Sequence, residues 1–230
     1  MIPAIIVYTH TDMKDIWPMF FGQFKKYVST YKVYVCLNNK DESIPSEYTQ
    51  ITYNDSVTYT DRWVEILPKI SEDVLLFMHE DMVLYDTPRF DLVEKYSEYV
   101  NSGVVNSVKL IYAGNDSIKS SIDSTLVKNG HSKFSVQPTI FRKELLENLV
   151  KSFPNKNIWE FEESIQETDL DYMVKLGGEP KRGIHHYDSF IWPYIATAIN
   201  KGKWNMTEYS NELDKLFIEY KINPFERGIW

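Results

Sequence analysis

What most limits the folds open to this chain is an alternation between two hydrophobic periods. Residues 4–8 (Ala-Ile-Ile-Val-Tyr) are a short continuous apolar run, the pattern of a buried strand. Trp17, Phe20, Phe21, Phe24, Tyr27 and Val28 then recur at helical spacing, with Pro18 tolerable close to the helix start. Residues 32–37, rich in Val and Tyr, read as a second strand and 51–53 as a short third. Thr60 can cap a helix presenting Trp63, Ile66, Leu67 and Ile70, which Pro68 should kink or shorten. Residues 74–78 (Val-Leu-Leu-Phe-Met) form another apolar strand. Thr87-Pro88 signals a helix carrying Leu92, Val93, Tyr96, Tyr99 and Val100, and 104–112 is strand-like. Strands alternating with helices over about 110 residues predict an α/β fold whose central sheet is mostly parallel and flanked by helices.

The second half is less regular. Residues 115–130 are polar and loop-like, and 134–141 read as a strand that Pro138 relegates to an edge or a bulge. Leu145, Leu146, Leu149 and Val150 mark a helix. Further helices are expected through Ile165, Tyr172, Met173 and Leu176 up to Gly177-Gly178, through Ile195, Ala196 and Ile199, and through Leu213, Leu216, Phe217 and Tyr220. No composition break marks a linker, so the 230 residues are expected to form one domain.

Several function classes fall away on composition. With 25 Lys and Arg against 33 Asp and Glu, the net charge of −8 disfavours a nucleic-acid binder, which needs a basic face. A single cysteine, Cys36, excludes an intramolecular disulfide framework or an all-cysteine metal cage. No apolar run approaches the roughly 18 residues of a membrane span. The chain begins with an apolar strand rather than a basic leader, so a cytoplasmic protein is expected. Aromatics are plentiful, with 16 Tyr, 12 Phe and 6 Trp, which suits a thick core or a site that stacks on sugars or bases.

In open α/β sheets, ligands bind beyond the carboxyl ends of the strands. After the first strand, ending at Tyr8, stand Thr9-His10-Thr11-Asp12, which can hydrogen-bond a base or ribose or cap a helix. The second strand runs into Asn38. The dinucleotide and Walker glycine patterns are both absent. After residues 74–78 come His79-Glu80-Asp81, wedged against Met82-Val83-Leu84. A carboxylate pair between two apolar runs is costly unless something pairs with it, and oxygen-rich sites suit Mg²⁺ or Mn²⁺.

A hydrophobic strand ending in such an acidic triplet resembles the GT-A glycosyltransferases, whose Asp-x-Asp holds a metal and the sugar-nucleotide diphosphate. Here His79 replaces the first Asp and Asp81 stands at the last. Ser135-Val136-Gln137-Pro138-Thr139-Ile140-Phe141-Arg142-Lys143 and Asn157-Ile158-Trp159-Glu160-Phe161-Glu162 resemble segments of small glycosyltransferases from bacterial polysaccharide clusters and large algal DNA viruses. Gly202-Lys203-Trp204 echoes a third such segment.

The resemblance implies a GT-A, Rossmann-like fold, with residues 1–112 binding the nucleotide sugar and a less regular 113–230 binding the acceptor. It implies a metal-dependent, inverting hexosyl- or deoxyhexosyltransferase using Mn²⁺ or Mg²⁺ and a nucleotide-sugar donor, UDP-linked by family default. The acceptor it implies is a glycan or lipid-linked glycan. The expected metal ligands are Asp81 and a late histidine, His186. Tyr8, Thr9, His10, Asp12, Asn38, Arg62, His79 and Glu80 are the expected nucleotide contacts. Glu162 is the expected general base with Glu160 its rival, and Trp159 and Gln137 are expected to meet the acceptor. Two other classes stay open: a non-catalytic nucleotide- or carbohydrate-binding module, and a two-carboxylate glycoside hydrolase.

Overall fold

The computed structural model describes residues 1–112, 120–128, 134–165, 172–174, 179–184 and 186–230. The first half runs β1 (Ala4–Tyr8), α1 (Trp17–Tyr27), β2 (Val33–Leu37), β3 (Thr49–Thr52), α2 (Tyr59–Ile66), β4 (Val74–His79) and α3 (Phe90–Asn101). The second half adds β5 (Ser107–Lys109), β6 (Leu126–Lys128), β7 (Thr139–Arg142), α4 (Lys143–Ser152), α5 (Ile158–Ser164) and β8 (Tyr172–Val174). Two short antiparallel pairs follow, β9 (Lys181–Arg182) with β10 (His186–Tyr187) and β11 (Ile199–Asn200) with β12 (Lys203–Trp204). The chain continues into α6 (Met206–Tyr220) and α7 (Pro224–Arg227).

Eight strands form one sheet in the order β3-β2-β1-β4-β7-β5-β8-β6. The first four are parallel, and β7 is antiparallel to both β4 and β5. Every residue of β1 and β2 is buried, as expected of parallel strands covered on both faces. Each fully buried Val, Leu, Ile or Phe stabilises by about 1.5–3 kcal/mol relative to exposure. Helix α1 hides Trp17, Phe20 and Phe24 and packs on α6, while α2 packs on α4 and α5. Pro68 stops α2 at Ile66, and a 3₁₀ turn of Leu67–Lys69 follows. No helix among the described residues is long and apolar enough to cross a membrane.

Register matters most for the site. Tyr8 pairs with Cys36 on one side and with His79 on the other, so the carboxyl ends of β1, β2 and β4 lie level.

The second half corrects several expectations. β7 is a central strand rather than an edge, because Pro138 precedes it, and Pro138 supplies only its carbonyl, to Leu110 N–H at 2.8 Å. Tyr172 and Met173 lie in β8, not in a helix, with β5 on one side and β6 on the other. The expected end of that helix, Leu176 to Gly178, lies outside the described residues. Residues 195–198 are also not helical. Ile195 N–H donates to the Val83 carbonyl and Ala198 N–H to the Asp81 carbonyl, so the segment runs alongside the chain leaving β4. β6 falls within the stretch expected to be loop, and the strand expected at 104–112 contracts to β5.

Candidate functional site

The level strand ends open into a cavity of about 420 Å³ lined by Tyr8, Thr58, Arg62, His79, Asn157 and Ile158. Its floor is aromatic. The Tyr8 ring stacks on Tyr53, with centroids 5.2 Å apart and planes 3° from parallel, and lies 5.1 Å from the His79 ring. His79 Nε2 is 3.2 Å from the Tyr59 hydroxyl, and burial pushes its pKa down to about 3, so the imidazole is neutral. Arg62 sits over Tyr53 and ties the wall together. Nη1 donates to Tyr8 Oη (2.9 Å), Nε to the Val57 carbonyl (3.0 Å) and Nη2 to the Asp55 carbonyl (2.7 Å). Its charge is already shared with the Asp55 carboxylate at 2.8 Å.

The loop after β1 lies beside this cavity rather than on its wall. Thr9 is buried and its hydroxyl accepts the Trp17 indole N–H at 2.8 Å. His10 Nδ1 accepts the Asp12 amide and Nε2 donates to Asp55, both at 3.1 Å. Asn38 Oδ1 accepts the Thr11 amide at 3.0 Å, and its Nδ2 donates to the Thr11 hydroxyl at 2.9 Å. The Asp12 side chain stands in solvent. Of the eight expected nucleotide contacts, Tyr8, Arg62 and His79 line the cavity together. Thr9, His10 and Asn38 shape the loop next to it.

Glu80 and Asp81 follow β4 directly. Burial, then the neighbouring Asp81 charge, raise the Glu80 carboxyl well above the usual range, with Arg227 a partial counterweight. Burial raises Asp81 to about 6, while the Thr197 hydroxyl and the nearby His186 pull it down. Thr197 Oγ1 donates to Asp81 Oδ2 at 3.0 Å. His186, on β10, has its Nδ1 2.6 Å from Glu208 Oε2. Among the described residues no three His, Cys, Asp or Glu side chains make a ready metal cage. The donor chemistry of Asp81 and His186 nevertheless fits a Mg²⁺ or Mn²⁺ ion, which commonly takes one or two carboxylates and completes its shell with water and substrate phosphate. Two adjacent carboxylates, Glu80 buried and Asp81 half-buried, are also the arrangement that a cation would relieve.

The C-terminal half supplies the opposite side. Asn157 caps α5, accepting the amides of Trp159 and Glu160 at 3.0 Å, and Glu160 Oε2 accepts the Asn157 amide at 2.9 Å. Glu160 is thus engaged in a capping box. Trp159 is 69% exposed, not a core tryptophan. Glu162 Oε1 accepts the Val136 N–H, burial raises its carboxyl, and buried Lys109 opposes that rise. Lys109 itself is pushed down to about 8 by burial. The Gln137 amide is bonded to the Tyr194 hydroxyl and reaches the Ala196 carbonyl at 3.5 Å.

Lys109, Thr197, Asn205 and Glu208 were not predicted from sequence. Lys109 carries a signal, a lone charge among Val108, Leu110 and Ile111. The other three carry none, because their roles exist only once distant segments meet.

No protein-family model matches the chain, and no curated protein matches it in sequence. Among solved structures it is similar to a CMP-2-keto-3-deoxy-manno-octonic acid synthetase complexed with CTP, at 13% identity and TM-score 0.49 over 86% of this chain and 94% of that one. It is similar to the Pyrobaculum calidifontis mannosyltransferase complexed with GDP-Man and Mn²⁺, at 14% identity and TM-score 0.47 over 78% of this chain and 57% of that one. The bifunctional IspDF of Campylobacter jejuni matches at 11% identity and TM-score 0.45, over 78% of this chain and 50% of that one. The chain therefore spans about half the length of two of these three proteins.

Proposed function

We propose that the protein is a metal-dependent glycosyltransferase that moves a sugar, with inversion, from a nucleotide sugar to a hydroxyl of a glycan or lipid-linked glycan. Residues 1–112 serve the donor and residues 113–230 the acceptor, within one domain. The observation that supports this reading is the hydrogen-bonded chain that links Asp81, two residues on from His79 in the cavity wall, through Thr197, Asn205 and Glu208 to His186.

The nucleoside, uridine as first choice, occupies the cavity over Tyr8 and His79. A neutral His79 adds no charge there and offers a ring face and one polar edge. Asp81 and His186 would hold a Mn²⁺ or Mg²⁺ ion, supplying Lewis-acid neutralisation of the leaving diphosphate. Glu162 takes the acceptor proton, a role typically contributing about 10²–10⁴-fold. The Val136 amide orients its carboxylate, and burial makes that carboxylate a stronger base than one in water. Trp159 offers an exposed face for the acceptor ring. A single displacement needs one base. Asp188, another buried carboxylate of this half, has both oxygens bonded by Arg182 Nε at 3.0 and 3.2 Å, which argues against its acting as a nucleophile.

Thermal-shift measurements with UDP, GDP and dTDP, each with and without Mn²⁺, test the reading. Metal-dependent stabilisation by one nucleotide, followed by turnover of its sugar conjugate, is the expected result. Binding without turnover would mark a binding module, and indifference to every nucleotide would favour the two-carboxylate hydrolase.

A further inference from the structure

We propose that Glu208 is a positioning residue that holds His186 as its Nδ1–H tautomer, leaving the Nε2 lone pair for the metal. The inference rests on the metal-site reading above. It comes from the polarity of a hydrogen-bond chain running from Asp81 to His186.

Asn205 is fully buried, and its amide can point only one way. Its Oδ1 accepts the Glu208 N–H at 3.3 Å, so its Nδ2 must face the Thr197 carbonyl, 3.2 Å away. The second hydrogen of that Nδ2 goes to Glu208 Oε2 at 3.3 Å. Thr197 in turn donates its hydroxyl to Asp81. A carboxylate oxygen only accepts, so His186 Nδ1, 2.6 Å from Glu208 Oε2, is the donor. A neutral imidazole protonated at Nδ1 carries its lone pair on Nε2. Carboxylates that fix a metal-binding histidine in this way are a general device.

The surrounding architecture holds the carboxylate in place. Gly183 lies in the turn between β9 and β10 with φ +56°, and a Cβ there would overlap Glu208 Oε1. Any other residue at position 183 would therefore displace the carboxylate. His186 pairs in register with Arg182 across β9 and β10. Arg182 Nη2 donates to Glu212 Oε1 at 2.7 Å. Glu208 and Glu212 stand on either side of a kink at Tyr209 in α6, so the start of this helix engages both members of a cross-strand pair.

Two measurements test this. In metal-free, ¹⁵N-histidine-labelled protein at neutral pH, long-range ¹H–¹⁵N spectra report the tautomer of His186, assigned by its loss in His186→Gln. The expected pattern is a protonated Nδ1 and an unprotonated Nε2; the reverse pattern overturns the proposal. Mn²⁺ binding is then followed by electron paramagnetic resonance with UDP, GDP or inorganic pyrophosphate present. Glu208→Met should weaken it by about 10–100-fold. Gly183→Ala should weaken it too, and Glu208→Gln, which can still present a carbonyl oxygen to Nδ1–H, should lose less. Circular dichroism and thermal melting check that each variant folds. If His186→Ala loses Mn²⁺ while Glu208→Met and Gly183→Ala keep wild-type affinity, the proposal fails and the metal reading survives. If neither Asp81→Asn nor His186→Ala changes Mn²⁺ binding, the metal reading itself fails, and the proposal with it.

Discussion

The two halves of the molecule hold their candidate site residues in place by different physics. In the first half, β1, β2 and β4 are buried runs of five or six residues, and the register of β1 with β4 alone brings Tyr8 and His79 together at the carboxyl ends of the strands. Beyond β5, strands have two to four residues, and side chains are held by bonds to one another: Asn205 to Thr197 and Glu208, Glu208 to His186, Arg182 to Asp188 and Glu212. A regular strand places its last residue through backbone pairing and needs no particular side chain to do so. An irregular segment needs specific polar side chains, and each, buried or half-buried, has a partner it cannot lose cheaply.

The largest effect expected separates the halves by function. On the proposed assignment, Glu162→Gln should lower transfer by about 10²–10⁴-fold while nucleotide affinity stays near wild type, because a base that takes the acceptor proton is not asked to hold the nucleotide. Asp81→Asn should instead abolish metal-dependent nucleotide binding. Steady-state kinetics beside calorimetric titration of nucleotide with Mn²⁺ tell the two apart, and loss of the same quantity in both variants would break the division between donor and acceptor halves.

Stability gives the next test. Asn205→Ala removes the cap of α6 and strands the Thr197 carbonyl, and should cost about 3 kcal/mol in urea unfolding. Ile6→Val, in the middle of fully buried β1, should cost only about 1 kcal/mol. Equal losses would mean that the polar chain is no more demanding than the apolar core.

Asp81 sharpens the comparison through pH. Its folded pKa, about 6, lies above the usual aspartate value, so between the two the folded state binds more protons than the unfolded state and stability falls as pH rises. Asp81→Asn should therefore stabilise the metal-free protein by up to about 3 kcal/mol at pH 8, a gain that shrinks below pH 6 and vanishes near pH 4. Thermal melts across that range would show a constant difference if burial of the charge were not the cause.

The smallest effects fall on α5. Glu160→Ala removes one arm of the capping box and should cost about 1 kcal/mol. Exposed Trp159→Ala should change stability by less than about 0.5 kcal/mol while raising the KM for acceptor. A large loss of stability in the second variant would make Trp159 structural.

Where periodicity is local and unbroken, the sequence was readable. Residues 4–8, the spacing from Trp17 to Tyr27 and the stop at Pro68 all act within one element, and the structure follows them closely. Misreadings fall where a short apolar run has two possible partners. Ile195, Ala196 and Ile199 have helix-like spacing, but the chain at 81–84 offers main-chain partners that hold the segment extended. Tyr172–Val174 is too short for its spacing to tell a helix from a strand, and pairing with β5 and β6 decides it.

From the sequence alone came the alternation that makes an open α/β sheet, the acidic pair at the mouth of β4 and the carboxylates of α5, because each depends on residue type and near spacing. Tertiary structure decided which groups share a site. Arg62 turned inward to brace Tyr8, Glu160 closed a capping box, and His186 came to Asp81 through Glu208, a residue 22 positions further along the chain. The physical reason is range: hydrophobic period acts over one turn or one strand, whereas the polarity of a buried hydrogen bond is settled only when its two ends have been brought together.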